Sequence, residues 1–275
     1  IWLSDLIEIL VLSRIEFLFL GLVLSPTSIG YFAAGLGLAG LIEQVMLQIS
    51  PALIVSFTDA QAKDDRQMLQ AAYSRVIRIV ALIMLPISFG GATIMPDLLP
   101  LIFGDAFKPA IPAAATLLAF VWPAGLSVIP WGMIGASGRS ALLLRVQIVS
   151  GILTIMLLTV LVPLMGLEGA ALARATIVTL TFALLGRTAW KYVRVAIPIA
   201  ALTKTMLAAL LCAAAAGLGI YNFDGAAAVA TAIPAGAVAY VLAIRFLRLI
   251  TPEDVRILMD TAGGKLPRAS RPLVN

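Results

Sequence analysis

Eight side chains stand out because they carry charge or amide groups inside otherwise apolar stretches. Asp5, Glu8, Arg14 and Glu16 fall near the start of the chain, Glu43, Gln44 and Gln48 lie on the next apolar stretch, and Arg174 is alone on a later one. An ionisable group in such a setting is expensive to bury, so it faces a cavity or pairs with a partner. Carboxylates of this kind exchange protons or hold monovalent cations, and a guanidinium holds an anion. The chain has no histidine and a single cysteine, Cys212, within an Ala-rich run. Imidazole acid–base chemistry, Ser–His and Cys–His nucleophiles and His-ligated metals therefore fall away. Cys212 reads as a small packing residue. No Walker A or dinucleotide-binding glycine motif occurs, and no cofactor or metal is implied.

At about 100° per residue, Asp5 and Glu16 project from nearly the same face of a helix, with Glu8 close by and Arg14 on the other side. Arg14 and Glu16 do not suit each other as partners, so each needs another group or water. Two uses are open for them: tying their helix to its neighbours, or lining a cavity. Gln44 and Gln48, one turn apart, suit either a hydrogen bond to a neighbouring helix or a polar substrate. Arg174 either snorkels outward or presents its cation to an anionic group in a central cavity. Asp5, Glu8, Glu16 and Glu43 are the candidates for ion coupling; Arg14, Glu16, Glu43, Gln44, Gln48 and Arg174 are the candidates for contact with a substrate.

The elements that position these groups follow from composition. Of the 275 residues, 61% are hydrophobic and 12% charged, against about 25% charged in a soluble domain. Mean hydropathy is +1.07. Apolar segments of about 20 residues, long enough to cross a bilayer as helices, recur along the chain. Strand-like alternation is absent, which argues against a barrel. The segments predict an all-α integral membrane protein with about eight spans, near 2–24, 30–53, 79–101, 110–134, 141–162, 168–186, 196–219 and 225–245. No basic leader precedes the first span, and the chain opens on Ile1, which suggests a preceding N-terminal part.

Turn residues separate the spans: Ser25-Pro26-Thr27-Ser28, Gly104-Asp105, Ala136-Ser137-Gly138-Arg139, Pro163 with Gly166, and Tyr221-Asn222-Phe223-Asp224. The one long connection, 57–78, runs from Asp64-Asp65 to Arg75 and Arg78, the charge order a helix macrodipole favours. It predicts a short amphipathic helix lying on the membrane surface. Prolines 86, 96, 112, 123, 198 and 234 fall inside the spans and predict bends. Thr251-Pro252-Glu253-Asp254 opens a capped helical turn in the tail, which beyond Gly263-Gly264 reads as basic and disordered. Sixteen of the nineteen Lys and Arg residues fall at one side of this arrangement, Lys108 alone falls at the other, and Arg14 and Arg174 sit within spans. By the positive-inside rule the basic side, with both chain ends, is cytoplasmic. The net charge of +5 is therefore a topology signal and implies no nucleic-acid partner.

Four stretches carry a family resemblance: Ile29-Gly30-Tyr31-Phe32-Ala33-Ala34; Leu101-Ile102-Phe103-Gly104-Asp105-Ala106-Phe107 with Ala110; Gly135-Ala136-Ser137-Gly138-Arg139; and Gly166-Leu167-Glu168-Gly169-Ala170-Ala171-Leu172-Ala173. In their order and placement, over roughly residues 10–195, the chain resembles the multidrug/oligosaccharidyl-lipid/polysaccharide (MOP) exporter superfamily, closest to its polysaccharide-biosynthesis branch of Wzx-like O-antigen flippases. The resemblance implies two pseudo-symmetric helical bundles around a central cavity. Residues 1–195 would be the second bundle, of about six helices, 196–246 an extra C-terminal helix pair and 247–275 a cytoplasmic tail. It further implies a bacterial cytoplasmic membrane location. The substrate would be a polyprenyl-pyrophosphate-linked O-antigen, capsule or exopolysaccharide unit, moved by alternating access. Membrane lipids and polysaccharide assembly proteins would be partners, and Arg14 and Arg174 would line a cationic cavity.

A cation-coupled multidrug exporter of the same superfamily is the main alternative, because the spans also carry acids. A membrane polysaccharide polymerase or ligase needs catalytic groups on a large outer loop, and the outer connections here are short. A transporter, not an enzyme, is the expectation.

Overall fold

The structure, a computed structural model, describes residues 15–62, 66–223 and 225–249, with the helical course of the backbone alone over 46–62. Eight α-helices follow one another: α1 (Ile15–Val23), α2 (Pro26–Ala62), α3 (Arg66–Phe103), α4 (Ile111–Ala119), α5 (Val121–Ala136), α6 (Ser140–Thr188), α7 (Ile199–Asn222) and α8 (Gly225–Phe246). The chain is an all-α, multi-pass membrane protein. Among the described residues, six helical stretches are long and apolar enough to cross a bilayer. One of them, the stretch containing α6, is two spans. Gly166 sits inside it at φ 59° and ψ −128°, a conformation open only to glycine. The Ser150 and Thr181 hydroxyls meet at 2.8 Å, so the limbs 140–165 and 167–188 run back along each other. Pro163, read as part of the separator, lies inside the first limb, and the reversal is at Gly166.

Local chemistry explains the other boundaries. Ser25 caps α2, its Oγ accepting from the Ser28 amide at 3.3 Å, with Pro26 at the first helical position where no amide donor is needed. The stretch through Asp105–Ala136 is interrupted at Phe120, between α4 and α5. Pro123, three residues on, has no N–H for the carbonyl of Ala119. Two expected bends are absent: Pro112 lies in the first turn of α4 and Pro198 is the N-cap of α7, both outside helix interiors.

The long connection differs from its expectation. No separate surface helix lies on the membrane. Residues 66–78 are the first turns of α3, a continuous helix of 38 residues. Leu69, Tyr73, Ile77, Val80, Ala81 and Met84 are all buried, so one stripe continues from the connection into the span without a glycine or proline to break it. At 1.5 Å per residue α2 and α3 are each about 56 Å long, against a hydrocarbon core of about 30 Å. The last turns of α2 and the first turns of α3 therefore extend beyond the bilayer. Gln70 fastens this projection, pairing through both amide atoms with the backbone of Ala196 at 2.7 and 2.9 Å. Close by in the fold, Arg139 Nη1 donates to the Tyr192 carbonyl at 2.8 Å.

One main core runs through α1 to α6. Gly35 lets α2 approach α4 closely, since a Cβ there would lie 2.9 Å from Ala114 Cα. Helices α7 and α8 pack on each other and on α3, over two small clusters, Ile94–Ala216–Ala232 and Ala208–Ala243–Leu249. Two polar contacts fix the pair. Asp97 of α3 accepts from the Gly225 amide at the start of α8 at 2.8 Å, as suits an acid at a helix N-terminus. The Tyr240 hydroxyl donates to the Leu82 carbonyl at 2.7 Å. That carbonyl is free because Pro86, four residues on, has no amide hydrogen to offer it.

Candidate functional site

Three helices bring three of the candidate groups together. The tip of Leu24, after α1, lies 3.9 Å from where a Cβ on Gly166 would sit, so both reach the same end of the bundle. Glu16 precedes that end by eight residues of α1 and Arg174 follows it by eight residues of α6. Both therefore lie about 12 Å along their helices from it, well inside a core of about 30 Å. Arg174 Nη1 donates to both carboxylate oxygens of Glu16, at 3.1 and 3.2 Å. Its Nη2 reaches Glu43 Oε1, on α2, at 3.5 Å.

The two carboxylates are not equivalent. The Glu16 side chain is 3% exposed and held by two contacts, whereas that of Glu43 is 25% exposed and held by one long contact. Arg174 itself is 21% exposed. Removing one partner of a buried pair leaves the other charge uncompensated, which is strongly destabilising. Glu16 and Arg174 therefore act as a clasp between the first span and the second limb of α6, and Glu43 is its looser arm. Among the described residues the cluster sets two carboxyl groups against one guanidinium.

Gln44, which follows Glu43 on α2, is exposed. Gln48 lies on α2 where the backbone course alone is described. Asp5, Glu8 and Arg14 lie outside the described residues, as does the tail from residue 250. Thr176, next to Arg174 in sequence, is exposed, and the Thr179 hydroxyl is turned back to the Ala175 carbonyl. A further polar stripe, Gln147, Ser150 and Thr154, is buried on the first limb of α6. Its spacing of three and four residues is the signal that it shares one helix face, and the Ser150–Thr181 contact shows that this face meets the second limb.

With this arrangement in view, comparison with known proteins is informative. Residues 1–112 match the family described as polysaccharide biosynthesis protein. Among solved structures, the fold is similar to that of lipid II flippase MurJ in an inward closed conformation, with a TM-score of 0.64 and 15% sequence identity. The family match covers less than half of the chain, and the structural match shows a shared fold. The structural match covers 80% of this chain and 47% of the flippase, so the chain spans about half the length of that transporter. No curated protein matches the sequence. Glu16 and Glu43 fall within the stretch matched to the family and Arg174 falls beyond it, so the clasp joins a segment the family describes to one it does not.

Proposed function

We propose that the chain is half of a flippase that moves a polyprenyl-pyrophosphate-linked oligosaccharide, an O-antigen, capsule or exopolysaccharide unit, across the bacterial cytoplasmic membrane by alternating access. The observation that carries this reading is a guanidinium held inside a bundle whose fold is similar to that of a lipid II flippase. Residues 1–195 are the second bundle, 196–246 an added helix pair and 247–275 a tail, and the basic end of the bundle faces the cytoplasm. Arg14 and Arg174 line the cavity between this bundle and a first one. A pyrophosphate entering there competes with Glu43 for Nη2 of Arg174, while Glu16 keeps its two contacts at Nη1. The substrate thus replaces the looser arm of the clasp and frees α2 to move relative to α6. Membrane lipids and polysaccharide assembly proteins are the remaining partners.

The additional carboxyl group supports a second reading, a cation-coupled multidrug exporter, in which a proton or sodium ion binds at the cluster. Complementation separates the two. The full-length gene is placed in a bacterium lacking its O-unit flippase, and surface polysaccharide is measured beside membrane abundance. Arg174→Lys keeps the charge and loses the fork that contacts two acids, so export is expected to fall at least tenfold at normal abundance. The triple variant Glu16→Gln, Glu43→Gln, Arg174→Gln removes the charges together. If it is abundant and still exports, the cluster is only a fastening and a substrate contact at Arg174 is ruled out.

A further inference from the structure

The far face of the α7–α8 pair carries a feature that transport does not use. A groove of about 1150 Å³ opens between the helices where α7 begins and α8 ends. Its floor is Ala239 and Ala243, whose single methyls leave the surface low, and its walls are Leu207, Leu211, Leu242 and Phe246. Phe246 is 88% exposed. Arg245 and Arg248 close the end of the groove, and both are exposed.

The backbone beneath these arginines is unusual. The Leu249 amide donates to the Ile244 carbonyl at 3.1 Å, and the Arg248 amide to that of Arg245 at 3.4 Å. These bonds form a Schellman motif, whose left-handed position is normally glycine. Here it is Arg248, at φ 50°. A long side chain is uncommon in that region, so the position forgoes the residue the turn favours and places a cation at the groove's mouth.

We infer that this groove binds an anionic diacyl phospholipid, with acyl chain over Ala239 and Ala243 and phosphate between Arg245 and Arg248. The apolar lining excludes a free hydrophilic anion, and the two guanidinium groups at its mouth pair with a phosphate while repelling the ammonium of a zwitterionic headgroup. Basic pockets at the ends of membrane helices recognise lipid headgroups by this same pairing. The inference stands whether or not the chain flips a saccharide lipid.

Native mass spectrometry of the full-length protein tests it, with dioleoyl phosphatidylglycerol and dioleoyl phosphatidylcholine as probes. The wild type is expected to hold phosphatidylglycerol about tenfold more tightly. Arg248→Gly restores the residue the turn favours, so it should fold at least as well and yet lose most of that preference. Arg245→Gln should do the same, and Ala239→Leu, which fills the floor, should weaken both lipids. Equal retention of the two lipids by the wild type, or an undiminished preference in Arg248→Gly and Arg245→Gln, overturns the inference. So does tighter binding of polyprenyl phosphate than of phosphatidylglycerol, which marks a substrate-tail site. A truncation after Leu249 that binds phosphatidylglycerol where the full chain does not overturns it as well, because the chain's own C-terminal segment then fills the groove.

Discussion

At the residue scale, the two acids of the clasp should respond differently to neutralisation. Glu16→Gln removes the two-contact partner of a buried guanidinium and should lower stability by about 3 to 5 kcal/mol. Glu43→Gln removes one long contact to a quarter-exposed group and should lower it by less than about 1 kcal/mol. Thermal unfolding of the purified full-length protein in detergent reads the difference; equal losses would mean that the cluster is a symmetric ion pair network with no loose arm. The need of Glu16 for a partner was legible in the sequence, because a buried carboxylate on a face away from Arg14 cannot be satisfied within its own helix. The partner's identity was not, because Arg174 is 158 residues away and the meeting depends on two spans ending at one turn. The Arg174 side chain is engaged by two acids of its own bundle.

At the element scale, the Tyr240 hydroxyl stands in for the amide that Pro86 lacks. Tyr240→Phe leaves the Leu82 carbonyl without this donor and should destabilise by about 1 to 2 kcal/mol. Pro86→Ala restores an amide for the same carbonyl, so in that background Tyr240→Phe should have little further effect. A double-mutant cycle on thermal stability measures the coupling, and additive effects would show that the two groups do not serve one carbonyl. The spans after the first, of which only Ile15–Val23 is described, were readable from apolar length, and Gly166 from its place among turn residues. The extension of α3 was not, because acidic and basic residues across 57–78 look like a boundary between water and lipid. The buried stripe from Leu69 to Met84 ignores that boundary. A helix ends where its hydrogen bonds or packing end, not where its surroundings change.

At the scale of the whole molecule, the orientation proposed from the basic residues is one that labelling can check. With Cys212→Ala as background, an impermeant maleimide added to intact spheroplasts should label Ala106→Cys and Phe223→Cys. Ala71→Cys and Lys191→Cys should react only after lysis, since they share the basic end of the bundle; the reverse pattern would invert the proposed orientation. The extension of α3 has a mechanical corollary. The clasp's loose arm, Glu43, lies on α2, and the next helix, α3, carries the α7–α8 pair. From the bilayer centre to Gln70, where α3 is fastened to Ala196, is roughly 35 Å of helix. A tilt of about 5° inside the membrane would therefore shift Gln70 by about 3 Å. Gln70 acts as a pointer, carrying a rearrangement otherwise hidden among lipid-facing helices to the connection that leads into α7.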